Sequence, residues 1–369
     1  MSENLIVLAA GGTGGHVFPA EALASELTKR GFRLSLITDC RGSALGNLET
    51  HRIRAGGIAG KNLTALLRNG PELAMGTLQS WSLLKKLQPR AVIGFGGYAS
   101  VPTMLAATFS NYNSIIHEQN AILGRANRLL ASRVKRIATS FKETRLIPNS
   151  AIDKVVYTGM PVRPAVAAVR NIPYPELSDN SGVRLLVLGG SQGAHIFSAV
   201  VPEAISRLSA DLRSRIFISQ QCRSEDLGST QDLFKRLDVN VELKSFFKDI
   251  PEQFAHSHLL LSRAGASTVS ETMIVGRPAI LVPYPHAVDD HQTYNAHALD
   301  EVGGGWLMLQ EGFSPDNLAE RLSSLLTVPK ILKRAAECAK SSSQPDSAVK
   351  LADAVCDLIC TDKKDRRVA

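Results

Sequence analysis

Aromatic residues make up only 5% of this 369-residue chain, and its 42 lysines and arginines are scattered along it. There is no zinc-finger spacing and no ribonucleoprotein-like run of basic and aromatic residues, so nucleic acid is not an expected partner. Cysteine is sparse too: Cys40, Cys222, Cys338, Cys356 and Cys360 are odd in number and widely spaced. That pattern argues against a disulfide framework and fits a reducing compartment. Cys356 and Cys360 could share a helix face, but no nearby histidine or cysteine completes a metal site, so they read as packing residues. The first residues are not expected to be a signal peptide, because Leu5–Ala10 is a short apolar run with no basic stretch before it. No GK[ST] follows any glycine cluster, which removes the P-loop. Ala91 to Ile116 carries no charge and is long enough to span a bilayer. Gly94, Gly96, Gly97, Pro102, Asn111 and Asn113 interrupt it, so a strand, a turn and a helix are expected there instead.

What remains is a globular balance, 44% apolar and 21% charged, with a net charge of +8. The length favours two domains. The charge favours an anionic partner, such as a nucleotide, a phosphorylated lipid or a membrane surface. Along the chain, short apolar runs lead into glycine turns and then helical stretches. Leu5–Ala10 precedes Gly11–Gly15 and a helix over 19–30; Ala91–Ile93 precedes Gly94–Gly97 and a helix from about Pro102. Leu185–Leu188 precedes Gly189–Gly193 and a helix near 196–208; Leu259–Leu261 precedes Arg263–Gly265 and a helix over 267–275. This alternation predicts α/β architecture with parallel, doubly wound sheets. The rhythm restarts after YTGMPVRP at 157–164, which puts a domain boundary near 160.

The glycine turns carry the candidate chemistry. GGTGGH at 11–16 lacks the third glycine of the dinucleotide fingerprint, which would fall on Val17. A strand, four glycines and a helix start still offer backbone N–H groups to a phosphate. A tight turn alone would need one glycine. His16 sits where a general base could act. The turn at 94–98 either helps to grip a pyrophosphate or permits close helix–strand packing. In GGSQG at 189–193, Ser191 can offer a hydroxyl beside a helix start. Ser267, Thr268 and Ser270 place hydroxyls over another, where Glu271 either accepts ribose hydroxyls or complements the helix dipole. HAVDDHQTYN at 286–295 reads as a loop at a strand end. Its spacing matches no zinc signature, and Gln292 and Asn295 look like sugar-hydroxyl ligands.

Together, GGTGGH at 11–16, GFGGYAS at 94–100, HEQN at 117–120, GMPVR at 159–163, GGSQGA at 189–194, GASTVSE at 265–271 and DDHQTYNA at 289–296 resemble the MurG family of N-acetylglucosaminyltransferases. The resemblance runs from residue 5 to about 300. It implies a GT-B fold, two Rossmann-like doubly wound domains facing a cleft. Residues 1–160 would form an acceptor- and membrane-facing domain and residues 161–345 a UDP-GlcNAc-binding domain. Residues 346–369 would be a C-terminal helix and basic tail that could return to the first domain. The implied reaction is inverting and needs neither metal nor cofactor. GlcNAc passes from UDP-GlcNAc to the C4 hydroxyl of MurNAc in undecaprenyl-pyrophosphoryl-MurNAc-pentapeptide, taking lipid I to lipid II in peptidoglycan synthesis.

By the same resemblance, Arg163 and Ser191 lie near the diphosphate, the Phe247 backbone meets uracil and Glu271 holds the ribose. Ala266, Ser267, Thr268, Val269 and Ser270 line the diphosphate and ribose, and Gln292 contacts GlcNAc. Thr13, Gly14, Gly15 and Asn120 approach the sugar and acceptor, with His16 as the base. The lipid acceptor implies peripheral attachment to the cytoplasmic face of the bacterial inner membrane, alongside other cell-wall synthesis proteins. Leu66, Leu67, Leu78, Trp81, Leu83 and Leu84 beside Arg68, Lys85 and Lys86 read either as a docking face for anionic lipid or as an amphipathic core helix. Two other functions fit the pattern: a UDP-GlcNAc 2-epimerase-like enzyme, and a non-catalytic sugar-nucleotide-binding regulator.

Overall fold

The computed structural model describes residues 4–11, 14–39, 45–55, 63–178, 181–190 and 193–368, with backbone alone at 63–69 and 362–368. The chain divides into two compact units, Met1–Arg163 with Asp346–Ala369, and Pro164–Pro345.

The first unit opens with β1 (Leu5–Ala9), α1 (Gly14–Lys29), β2 (Arg33–Asp39) and β3 (Glu49–Ile53). It continues through α2 (Leu63–Leu87), β4 (Ala91–Gly94), α3 (Gly97–Phe109) and β5 (Ser114–Glu118). Then come α4 (Arg125–Ala131), β6 (Arg136–Thr139) and β7 (Val155–Tyr157). Its seven strands pair in parallel in the order β3-β2-β1-β4-β5-β6-β7.

The second unit runs through α5 (Pro164–Ala168), β8 (Val183–Leu188), α6 (His195–Ser206), α7 (Ala210–Arg215) and β9 (Ile216–Gln221). It proceeds through α8 (Leu227–Arg236), β10 (Asn240–Lys244), α9 (Ile250–His256), β11 (Leu259–Ser262) and α10 (Ala266–Val275). It ends with β12 (Ala279–Leu281), α11 (His291–Asp300), β13 (Gly305–Leu307), α12 (Pro315–Leu326) and α13 (Pro329–Ser342). The six strands are again parallel, in the order β10-β9-β8-β11-β12-β13. The last helix, α14 (Ser347–Val368), belongs to the first unit.

The strand sequences follow from burial on both faces. LIVLA of β1 and AVIG of β4 are buried throughout, as strands covered by helices on both sides must be. Ile6, Leu8 and Ile93 meet Leu23 and Leu27 of α1 and Leu351, Val355 and Ile359 of α14. The alternate residues Val7, Ala9 and Val92 meet Leu84 of α2, Met104 of α3 and Leu130 of α4. Arg30 fastens α14 to the end of α1, giving hydrogen bonds to Glu26 Oε1 at 3.0 Å and Asp353 Oδ1 at 2.7 Å. In the second unit, Leu185, Val187, Leu259 and Leu261 share a core with Phe197 of α6 and Leu318 and Leu322 of α12. Arg277 is buried there without a carboxylate. Its guanidinium donates to Phe254, Ala255 and Val275 carbonyls, closing the C-terminal ends of α9 and α10, and to Pro173 in the segment before β8.

Two elements depart from the sequence-based expectation. Helix α3 starts at Gly97, well before Pro102, which lies inside the helix and leaves the Tyr98 carbonyl without its i+4 N–H donor. The 286–295 segment is not wholly a loop: Asp289 and Asp290, at φ of 54° and 53°, turn the chain into α11 at His291. The Ala91–Ile116 run is strand, turn, helix and the start of β5. Among the described residues no helix is long and apolar enough to cross a membrane.

Two glycines of α2 separate packing from propensity. A Cβ on Gly76 would collide with the Arg54 carbonyl oxygen, whereas one on Gly70 would meet open space. Gly76→Ala should therefore destabilise the protein by roughly 1–3 kcal/mol, and Gly70→Ala should be neutral or stabilising by up to about 1 kcal/mol. Chemical denaturation of both variants checks the contrast.

Candidate active site

In each unit the strand order reverses at a central pair, β1/β4 in one and β8/β11 in the other. Ligands of open α/β sheets bind at the carboxyl ends of such strands. The glycine-bearing sequence segments 11–15, 94–97, 189–193 and 263–265 stand at the ends of these four strands. The N-cap residues of α3, α6 and α10 are Gly96, Ala194 and Gly265, and no side chain caps these helices, as none caps α4, α8, α9, α11 and α13. By contrast, Ser209 and Ser314 cap α7 and α12 through Leu212 N–H and Asn317 N–H. Uncapped helix starts leave backbone donors for an anion. The Ser267 hydroxyl at the start of α10 is buried and has no hydrogen-bond partner.

His16 stands half-buried in the first turn of α1, and a tertiary network seats it. Its Nδ1 lies 3.1 Å from Gln119 Oε1. Gln119 Nε2 in turn donates to the Phe95 carbonyl at 2.9 Å and lies 3.1 Å from His117 Nδ1. Gly97, at φ 69°, completes the seat: a Cβ there would sit 3.3 Å from His16 Cδ2 and 3.4 Å from Nε2. This close approach gives the glycine at 97 a concrete steric purpose.

The HEQN segment supplies more than the sequence suggested. Glu118 is buried without a cation, and four N–H donors satisfy its carboxylate. Oε1 accepts from the Asn120 backbone and side chain; Oε2 accepts from Gly124 N–H and Asn127 Nδ2. The carboxylate thus shapes the 118–127 turn and holds the half-buried Asn120. Burial of His117 drives its pKa down to about 4, the neighbouring His16 adds to the fall, and a hydrogen bond to the Gly159 carbonyl opposes it.

In the second unit, Gln221 ties two turns together, accepting from Gly189 N–H at 3.2 Å and donating to Ser245 O at 3.3 Å. Ser245 opens the loop that holds Phe247, whose buried ring lies 5.3 Å under Lys244 Nζ. The uracil contact expected at this residue therefore concerns its backbone. Ala266, Ser267, Thr268, Val269, Ser270 and Glu271 form the first turns of α10, with Glu271 5% exposed. Gln292 Oε1 accepts from Tyr284 N–H at 2.9 Å, so a sugar would meet its NH2 group as donor. Asn295 is fully buried and donates to the Ala264 carbonyl at 3.1 Å, a bond that fastens α11 to the end of β11. Arg263 lies between the Phe197 and Tyr284 rings at 5.3 and 5.4 Å and donates to Val282, Pro283 and Gln310, bracing the strand ends.

Gly14 and Gly15 open α1, whereas Thr13 and Ser191 fall outside the described residues. Arg163 groups with the first unit, where its guanidinium lies 4.9 Å over the Phe18 ring of α1. Gln119, His117, Glu118 and Gln221 are the functional or supporting residues that sequence reasoning did not single out. Membership of the HEQN motif was the one available signal for the first three.

The chain matches the glycosyltransferase family 28 N-terminal domain over residues 6–139 and the family 28 C-terminal domain over residues 184–351. With two parallel-sheet units and these switch-point turns, it is a family 28 glycosyltransferase of GT-B fold. A relative from Paramagnetospirillum magneticum is 56% identical over 97% of this chain and 97% of its own length. One from Rhodospirillum rubrum is 53% identical over 95% of this chain and 91% of its own. Both are named UDP-N-acetylglucosamine--N-acetylmuramyl-(pentapeptide) pyrophosphoryl-undecaprenol N-acetylglucosamine transferase. The crystal structure of Acinetobacter baumannii MurG, 28% identical, superposes with a TM-score of 0.78 and covers 95% of this chain and 99% of its own. The chain belongs to the MurG family.

The neutral His117 couples this site to stability. An unfolded histidine binds a proton below about pH 6.5, the folded one only near pH 4, so the unfolded state holds more protons between those values. Stability should be full above pH 6.5 and fall as the pH drops through that window, by at most about 1.4 kcal/mol per pH unit for this group. Urea unfolding from pH 7 to pH 4 should show a shallower decline in His117→Gln than in the unmodified chain.

Proposed function

We propose that the protein transfers N-acetylglucosamine from UDP-GlcNAc to the C4 hydroxyl of MurNAc in undecaprenyl-pyrophosphoryl-MurNAc-pentapeptide, the step from lipid I to lipid II. The observation that carries this reading is the near-full-length similarity to relatives named for that transfer. The second unit holds the donor. The Phe247 backbone meets uracil, Glu271 accepts the ribose hydroxyls, Ser191 and the start of α10 from Ala266 to Ser270 meet the diphosphate, and Gln292 donates to GlcNAc. The first unit serves the acceptor through Thr13, Gly14, Gly15 and Asn120. Arg163, stacked on Phe18, answers a phosphate bound beside the start of α1.

His16 supplies the base. It takes the proton of the C4 hydroxyl as that oxygen attacks the anomeric carbon, and UDP leaves from the opposite face with inversion. Negative charge growing on the leaving diphosphate is met by backbone N–H groups at uncapped helix starts, donors already oriented before the reaction. No second carboxylate is needed to form a glycosyl-enzyme intermediate.

The acceptor's lipid calls for attachment to the cytoplasmic face of the inner membrane. Met75, Leu78 and Trp81 are exposed on α2, at 44%, 65% and 47%, and Lys85 Nζ lies 5.4 Å over the Trp81 ring. Leu84 of the same helix is buried in the core and Leu83 packs against that core, so α2 divides into a packing face and an exposed apolar face. The side chains of Leu66, Leu67 and Arg68 lie outside the described residues. Apolar side chains beside cations suit insertion at an anionic lipid surface.

Incubation with UDP-GlcNAc and a short-chain lipid-linked MurNAc-pentapeptide should release UDP in step with lipid-linked disaccharide. Formation of ManNAc without acceptor, or donor binding with no UDP release, would overturn the reading. The double variant Leu78→Glu, Trp81→Glu should lower binding to anionic vesicles by about tenfold or more. Its turnover on a detergent-dispersed short-chain acceptor should stay within roughly twofold. Unchanged vesicle binding would remove α2 as the docking face.

A further inference from the structure

We infer that Gln119 is a positioning residue that fixes His16 in the Nδ1–H tautomer and so leaves the Nε2 lone pair as the basic atom. The inference rests on the reading of His16 as the base, and it adds which nitrogen acts and what selects it.

The orientation of the Gln119 amide comes from its surroundings. Gln119 is 3% exposed, so water cannot rescue a misplaced donor or acceptor. One end of the amide meets two backbone carbonyls, Phe95 O at 2.9 Å and His117 O at 3.1 Å. Carbonyl oxygens only accept, so that end must be the NH2 group. The end toward His16 is then Oε1, which also only accepts. The 3.1 Å contact with His16 Nδ1 therefore requires hydrogen on Nδ1, and a neutral ring keeps its lone pair on Nε2.

His117 fixes the direction of the chain from its far end. Its Nδ1 lies 3.1 Å from the same Gln119 NH2 group, where an N–H would oppose an N–H. The hydrogen of the neutral His117 ring must then sit on Nε2, which faces the Gly159 carbonyl and Ser140 Oγ, both at 3.5 Å. Ser140 Oγ donates to the Glu118 carbonyl at 2.8 Å, so it too is free to accept from His117. Burial holds His117 neutral at working pH and keeps the pattern from reversing. Donors and acceptors thus run one way: His117 Nε2–H to Gly159, the Gln119 NH2 group to Phe95 O and, through a hydrogen shared between them, to His117 O and Nδ1, and His16 Nδ1–H to Gln119 Oε1. Histidine in water favours the opposite tautomer, with hydrogen on Nε2, which would present a donor where the reaction needs an acceptor. On the Nε2 side of His16, Gly97 contributes no side chain.

The test reads the tautomer directly. The full-length protein, 15N-labelled at histidine, is examined by long-range 1H–15N correlation near pH 9, with His16 assigned by loss of its signals in His16→Gln. The expected pattern shows a protonated Nδ1 and a bare Nε2. In Gln119→Leu, which keeps the volume and removes the acceptor, that pattern should give way to Nε2–H. Turnover should fall by about tenfold or more, with the KM for UDP-GlcNAc within roughly threefold. An Nε2–H pattern in the unmodified protein overturns the inference, as does an Nδ1–H pattern that survives in Gln119→Leu. If His16→Gln keeps full turnover while the Nδ1–H pattern stands, the role of His16 as base fails instead, so the two failures are distinct.

Discussion

A parallel strand buried on both faces can carry polar chemistry only beyond its ends, and this constraint governs both units. β1, β4, β8 and β11 are almost wholly apolar and buried, so the turns after them take on everything that must meet a charged substrate. Those turns are rich in glycine because backbone has to come close, to a ligand or to another side chain. At Gly97 the close neighbour is His16 itself. The sheet thus places a glycine turn from β4 beside the helix start that follows β1, and one histidine acquires a fixed surrounding before any substrate arrives.

The four residues of HEQN, where β5 ends, divide the work of supporting that histidine. His117 sets the direction of a hydrogen-bond chain, Gln119 transmits it, Glu118 folds the following turn around four N–H donors, and Asn120 is held where that turn begins. The arrangement is expensive in stability at acid pH, because His117 resists the proton it would accept in water. In return the site is rigid. Gln221 plays a comparable part in the second unit, where one amide joins the turn after β8 to the loop after β10.

Much of this was readable from sequence because it is local. An apolar run, a glycine turn and an amphipathic stretch each declare themselves within a dozen residues, and four such repeats define doubly wound sheets. His16 was visible from its place beside four glycines. Its partner was not, since Gln119 lies 103 positions away and becomes its neighbour only through the sheet order. The structural bond of Asn295 to the Ala264 carbonyl was hidden for a related reason, since its acceptor lies 31 positions away. Helix α2 was ambiguous because an amphipathic pattern reveals two faces without saying what covers each. The fold answers for Leu84, and the exposed Leu78 and Trp81 then call for another explanation.

On the proposed function, a pre-oriented His16 performs the proton transfer in a glycosyl transfer whose donor is held elsewhere in the chain. The most direct measurement compares turnover and UDP-GlcNAc affinity in His16→Ala and the unmodified protein. Turnover should be lower by roughly a hundredfold or more, with the donor dissociation constant nearly unchanged. Unchanged turnover would contradict it.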